Sequence, residues 1–565
     1  MPKNELQNKI YSNDFYDLVV SYQGAEENLS RDFPLLGSQT VGGGYAILHV
    51  NKTLFPSSIL STVGYTTIPK LYTTLDTTSL EVSGILRTQN QPILNLKGEN
   101  ILLGFIDTGI DYTLDAFRKS DGSSRILGIW DQTERTDDPP DELFYGKIYT
   151  RDDLNTALAS DNPLSIVPET DENGHGTFVA GVAAGSEDPE QDFVGAAPMS
   201  DIAVVKLKPA KKYLKDFFFV AEDALAFQES DIMTAVYYLY NLAIDNNLPL
   251  VICIALGSNQ GDHSGASFLD SFVSYYSNYT GIYCVVAAGN EAGMGHHFYG
   301  KIAAENEYQS AEILVDKDTK GFSLEIWAQA PELYSVSVTS PLGETIPAVP
   351  ARLGQSTVER LVLEKTVIYI DYEIVEFTTG SQLILIRFEN PTPGLWNISV
   401  INNIFINGIF HMWLPITGLI PPGTVFLTPN PDTTLTSPSP AESVITVSTY
   451  NAYDKSLFIN SSRGYTRTGA IKPDIAAPGV NVYGPDGPGS YMPRTGSSLA
   501  AALAAGSVAL LINWGLTRYT PHVLSTREVK NFLIRGAERS ENLLYPNREW
   551  GYGTLNVYRI FEILR

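Results

Sequence analysis

Between residues 99 and 290, short unbroken apolar runs alternate with longer stretches whose apolar positions recur every three or four residues. ENILLGFIDTG (99–109), DIAVVKLK (201–208), PLVICIALG (249–257) and GIYCVVAAGN (281–290) are runs of the first kind. Apolarity without alternation predicts strands buried on both faces, as in a parallel sheet. GTFVAGVAAG (176–185) and SDIMTAVYYLYNLAIDNN (230–247) belong to the second kind and predict helices. Strands alternating with helices predict an α/β fold with a doubly wound, mostly parallel sheet. In such sheets functional loops gather beyond the carboxyl ends of the strands.

The pattern differs on either side. FYDLVVSY (15–22) and YAILHV (45–50) read as short strands of a separate small unit, residues 1–76, which closes in a polar, Thr-rich, loop-like stretch, KLYTTLDTTS (70–79). From 298 to 435 the runs SLEIWA, YSVSVT, TVIYIDYE, QLILIRF, WNISVI and GIFHMWL follow one another with turn residues between them and no helical pattern. They predict an antiparallel β-sandwich inserted into the α/β domain, which would then comprise residues 77–297 and 436–565. The α/β pattern resumes with VITVSTYN (444–451).

Composition narrows the class. Of 565 residues, 44% are hydrophobic and 18% charged, which describes a globular chain with a substantial core. A net charge of −25 argues against nucleic acid and anionic membranes as partners. The two cysteines, Cys253 and Cys284, lie in apolar runs and read as core thiols; two are too few for a disulfide scaffold. The N-terminal residues carry no apolar stretch of signal-peptide type, and no run of apolar residues reaches membrane-spanning length. The expectation is a chain made in the cytoplasm, without a membrane helix.

Three stretches carry candidate chemistry: Asp107 in FIDTGID, at the end of its strand; His175 in DENGHGTFVAGVAAG, before a helix; and the serines of RTGSSLAAALAAG (494–506). Two serines ahead of an alanine-rich helix could cap it through a side-chain oxygen. Alternatively, one of them is a nucleophile. A serine hydroxyl needs a base, histidine serves as one near neutral pH, and a buried carboxylate orients the imidazole. Asp111, beside Gly109, reads as a turn cap outside this chemistry. His296 and His297 are adjacent but have no further ligand at metal spacing.

IDTGID, NGHGTFVAG and GSSLA resemble the aspartate, histidine and serine motifs of the subtilisin-like serine proteases (subtilases), in the same chain order, Asp, His, Ser. The resemblance implies a subtilisin-like fold and a catalytic triad of Asp107, His175 and Ser498, with Ser497 at a position usually held by threonine. AAGN (287–290) resembles the oxyanion motif, implying Asn290 as side-chain donor beside the Ser498 N–H. ALGS (255–258) corresponds to a substrate-pairing strand, implying Leu256 and Gly257 at the entrance to the pocket for the residue preceding the cut. KPDIAAPG (472–479) and VGAAP (194–198) are further family signatures. Ala502 stands where the family has proline, which predicts a different start to the serine helix. The acidic loop SEDPEQDF (186–193) lacks the family's calcium pattern, so neither metal nor cofactor is expected.

SGILRTQNQPILNLKGENILLGFIDTGIDYTLDAF (83–117) and EWGYGTLNVYRIF (549–561) are similar to the Csp germination proteases of anaerobic spore formers. That resemblance implies a jelly-roll insertion and a small α+β pro-domain (1–76) that is cut by the enzyme itself around Thr74, Leu75 and Asp76, between 73 and 79, and can remain bound as a partner. It also implies spore association and a protein zymogen, the precursor of a cortex-lytic enzyme, as substrate. A catalytically silent relative acting as a signalling or binding module and a general intracellular subtilase remain alternatives. The insertion either stiffens the enzyme or touches the substrate.

Overall fold

The computed structural model describes residues 14–21, 37–42, 45–54 and 78–563, apart from 93, 137–139, 141–142, 144, 211, 353–355, 377 and 518–520. The chain divides into two compact units, Met1–Thr74 and Leu75–Arg565. In the first, β1 (Phe15–Ser21), β2 (Gly37–Gly42) and β3 (Tyr45–Asn51) form an antiparallel sheet with β3 in the middle. Leu48 and Val50, two residues apart, share its buried face. The hydrophobic pattern does not predict β2, whose sequence GSQTVG contains a single large apolar residue.

The second unit is built on β4 (Leu102–Asp107), β5 (Ile126–Asp131), β6 (Lys147–Thr150), β7 (Asp201–Lys206), β8 (Leu250–Ile254), β9 (Ile282–Ala287), β10 (Ile445–Tyr450) and β11 (Ile475–Pro478). Their order is β11-β10-β9-β8-β4-β7-β5-β6. Every neighbouring pair is parallel except β5 and β6. This is the doubly wound α/β sheet that the alternating pattern predicts. All six residues of β4 are buried. Leu103 and Phe105 enter a core shared with α1 (His175–Ala184) and α4 (Ser497–Thr517). Leu102 and Ile106 enter the opposite core, shared with α2 (Glu229–Asp245) and α3 (Phe268–Ser277). A strand alternating between two apolar layers has no polar face, which is why it reads as a continuous run. The edge strand β6 has only four residues, one of them fully buried, and leaves no such signature.

α4 departs from expectation only in where it starts. By length and composition it could cross a membrane, although its serines, glycines and Asn513 break the apolar run; 89% of that span is buried inside the protein. It is a core helix, apolar on every side because every side is covered. It starts at Ser497, so Ala502 lies past the first turn and simply continues the helix; its start is not set at that residue. Gly506 shows how tightly α4 is packed: a methyl there would collide with Ala196 Cβ and lie 2.8 Å from Ala183 O. Gly506→Ala would gain about 1 kcal/mol of helix propensity. It is nevertheless expected to destabilise the fold by a net 1–3 kcal/mol, roughly, through overpacking, read as a lower denaturation midpoint.

The inserted β-sandwich has two antiparallel sheets. One has six strands, from His297–Lys301 at one edge to Ser356–Arg360 at the other; the second has five, from Thr345–Val349 to Val425–Phe426. Phe322, Ile326 and Ile386 of the first sheet meet Val336, Trp396 and Ile398 of the second in one core. Glu325 of the insertion accepts the Gly261 N–H (3.0 Å), and His263 stacks on Trp413 with ring centroids 4.0 Å apart. These contacts hold the loop that follows β8.

Candidate active site

Asp107 ends β4, His175 opens α1, and Ser498 is the second residue of α4. Parallel strand ends and helix starts share one edge of the sheet, and there the three side chains meet. Asp107 Oδ1 lies 2.7 Å from His175 Nδ1, and His175 Nε2 lies 3.0 Å from Ser498 Oγ. A carboxylate only accepts, so Nδ1 carries the proton and Nε2 presents a lone pair to the serine. Asp107 is 1% exposed, whereas the His175 side chain is 31% exposed. The carboxylate is sealed and the imidazole is reachable. The charge on Asp107 raises the His175 pKa above its ordinary 6.5; burial opposes this, Asp171 adds to it and Arg494 subtracts. Ser498 Oγ also lies 3.2 Å from Ala255 O, just past β8. The side chain therefore faces the cleft and does not cap α4.

Local sequence explains the close approach of α1 to the aspartate loop. A Cβ on Gly176 would collide with Gly109 O and lie 3.0 Å from Asp107 Cβ, so only glycine can follow His175 here. Two residues that the motifs do not single out hold the arrangement. Asp171 accepts the Thr108 hydroxyl (2.8 Å), the Gly174 N–H (3.0 Å), and both the Thr177 N–H and hydroxyl (2.8 Å each). It caps the first turn of α1 and ties it to the residue after Asp107. The available signal was an aspartate four positions before the histidine at a helix start. Arg494 pairs with Asp486, donates to Gly174 O (3.3 Å) and lies 5.0 Å from the Phe178 ring centroid. Asp111 accepts from the Thr113 N–H (3.1 Å), a local turn cap.

Asn290 lies beyond β9. Its Oδ1 accepts the Ser497 N–H at 3.0 Å, which turns its Nδ2 toward the opposite side. A Cβ placed on Gly496 would lie 4.0 Å from both Asn290 Nδ2 and Ser498 N. Two N–H donors thus flank an open space left by a glycine, beside the serine. That arrangement can receive a negative oxygen, and the amino end of α4 adds its dipole.

The subtilase family model matches residues 98–341 and 424–553, and the gap falls inside the β-sandwich. The chain belongs to the subtilase family of serine endopeptidases. Its structure is similar to that of the CspB protease of Clostridium perfringens, with 32% identity, a TM-score of 0.77, and coverage of 86% of this chain and 97% of that one. Serine protease AprX of Bacillus subtilis is 34% identical over 126 residues, 19% of this subtilase and 27% of AprX. The PII-type proteinase of Lacticaseibacillus paracasei is 24% identical over 267 residues, 46% of this subtilase and 13% of that proteinase. The subtilase thus spans only a minor part of the length of these two relatives.

A cleft of about 1140 Å³ opens beside Ser498 in the second unit, and Leu256 and Gly257 line it. The insertion lines it too, through Glu325, Trp327, Glu376, Ile416, Thr417 and Leu419. Burial pushes Glu325 up to about 7, against the hydrogen bonds that it accepts from Trp327 and Gly261. His296 and His297 are buried: His296 lies 2.6 Å from Glu291, and His297 lies 2.9 Å from His411. Cys253 and Cys284 are buried and free. Among the described residues, no group of three or more His, Cys, Asp or Glu side chains is placed to hold a metal ion. Thr74, Leu75 and Asp76, the expected self-cleavage region, lie outside the described residues.

Proposed function

We propose that this subtilase is catalytically active, with Ser498 as nucleophile, His175 as base and acid, and Asp107 as the group that orients His175. The observation that carries this reading is the unbroken hydrogen-bonded chain from Asp107 through His175 to Ser498. Ser498 Oγ bonds to the substrate's carbonyl carbon while its proton passes to His175 Nε2. The carbonyl oxygen, now negative, takes N–H bonds from Asn290 and Ser498. His175 returns the proton to the nitrogen, the C–N bond breaks, and water releases the acyl group by the same steps. A fluorophosphonate probe tests the centre directly: it is expected to label the wild type at Ser498, and no labelling would rule out this mechanism. Asn290→Leu is expected to lower kcat by about 10²–10³-fold with little change in KM.

The reading extends to the substrate. We propose that the enzyme removes its own N-terminal segment near residues 74–76 and cuts a protein zymogen at one site. That zymogen is the precursor of a cortex-lytic enzyme in germinating spores, where the protein would reside. The similarity across 97% of the CspB protease supports this, as does an insertion that lines the cleft and narrows what can enter. Purified enzyme mixed with that precursor is expected to give one new N-terminus. Digestion into many fragments would favour a general intracellular subtilase, and an untouched precursor would remove the germination role.

A further inference from the structure

Past Ile254 and Ala287, the ends of β8 and β9, the chain runs on as residues 255–258 and 288–290 along the cleft. A third segment joins them. Ser437 exchanges backbone hydrogen bonds with Ser258 (2.9 and 3.1 Å), and the Thr436 N–H donates to Ala288 O (3.0 Å). Residues 436–437 therefore span the gap between the two strand extensions. Both extensions present a glycine to that gap, Gly257 and Gly289. A Cβ on Gly257 would collide with Thr436 Oγ1. A Cβ on Gly289 would lie 2.6 Å from Thr436 Cγ2 and 2.7 Å from its Oγ1. The Thr436 side chain thus fills the space between two bare backbone walls. It is 1% exposed, and its hydroxyl is bonded to Ala288 O at 3.3 Å.

The mouth of the gap is the reacting centre: Ala255 O touches Ser498 Oγ, and Asn290 follows Gly289. The subtilase resemblance puts Leu256 and Gly257 at the entrance to the pocket for the side chain before the cut bond, which would direct that side chain between these walls. We propose that Thr436 is a specificity-determining residue that restricts this position to side chains no larger than threonine. This rests on the protease reading above. Backbone walls cannot rotate aside as a side chain can, so a longer substrate side chain meets a hard limit. Each misfitting methylene group is worth about 10–200-fold in selectivity. Self-cleavage within TTLDTTS (73–79) should accordingly follow a threonine or serine and not Leu75.

The test uses the full chain and a peptide library varied at every position, with cut sites read by mass spectrometry. The wild type is expected to cut after Gly, Ala, Ser or Thr at least about a hundredfold faster than after Leu or Phe. Thr436→Gly is expected to raise the Phe-to-Ala ratio at least tenfold, with Thr436→Ser between the two. Equal wild-type rates after Ala and Phe, or an unchanged ratio in both variants, would overturn the assignment. Fluorophosphonate labelling, which needs no particular side chain, separates the two failures. Labelled enzyme without the preference sinks only the role of Thr436, and unlabelled wild type sinks the protease reading and this inference with it.

Discussion

Ser498→Ala is expected to leave the chain whole and inert. The wild type, cut near residue 75 of 565, should run as pieces of about 8 and 54 kDa from a 61.9 kDa chain, while the variant runs as one band. The loss in turnover is set by the nucleophile, and removing it from a complete triad costs about a million-fold. Stability should change little: among the described residues Ser498 Oγ bonds to His175 and Ala255, and losing them costs about 1 kcal/mol. Activity and folding therefore separate in one variant. A wild type and a variant that both run as single, unlabelled, equally stable bands would mark the chain as a silent relative despite its geometry. Uncut but labelled wild type would keep the chemistry and remove only self-processing.

How much of this was legible in advance depended on whether a residue acts through its own position or through its neighbours. β4 and β8 stand out in the sequence because both of their faces are covered, so burial leaves an unbroken apolar run. Ser356–Arg360, an edge strand of the insertion, has no fully buried residue and reads as loop. α4 was legible as a small-residue helix whose serines, glycines and Asn513 break the apolar run, and its burial agrees with a core helix. Asp107, His175 and Ser498 were findable because each sits in a local pattern at a strand end or helix start. Asp171 had a local signal that the motifs do not carry, an aspartate just before a helix start, while its bond to Thr108 and the bond of Arg494 to Gly174 depend on groups brought close by folding. Thr436 is more remote still. Nothing in TLTSPSP marks it, and its importance comes from two glycines more than 140 positions upstream that close on it.

Asp107→Asn probes what the buried carboxylate contributes beyond its shape. Both the Thr108 N–H (2.8 Å) and His175 Nδ1 (2.7 Å) bond to the same atom, Oδ1, while Oδ2 is buried and has no hydrogen-bond partner among the described residues. An asparagine whose Oδ1 keeps that place retains both bonds and puts its amide into the partnerless site. The variant therefore removes charge while sparing most of the geometry. That charge stabilises the imidazolium formed as Ser498 gives up its proton, and its loss should lower kcat, by up to about 10⁴-fold where the amide also turns the ring to the wrong tautomer. It is also the largest influence raising the His175 pKa. The base must be neutral, so activity falls as pH drops through that pKa. In the wild type this acid limb should lie above the 6.5 of an ordinary imidazole. In Asp107→Asn the limb should move to lower pH, because burial and Arg494 then oppose only the weaker pull of Asp171. A pH–rate profile read alongside the turnover loss tells the two contributions apart. A large loss with an unmoved limb would mean that Asp107 acts by holding the ring in place, and a moved limb would mean that its charge reaches the base.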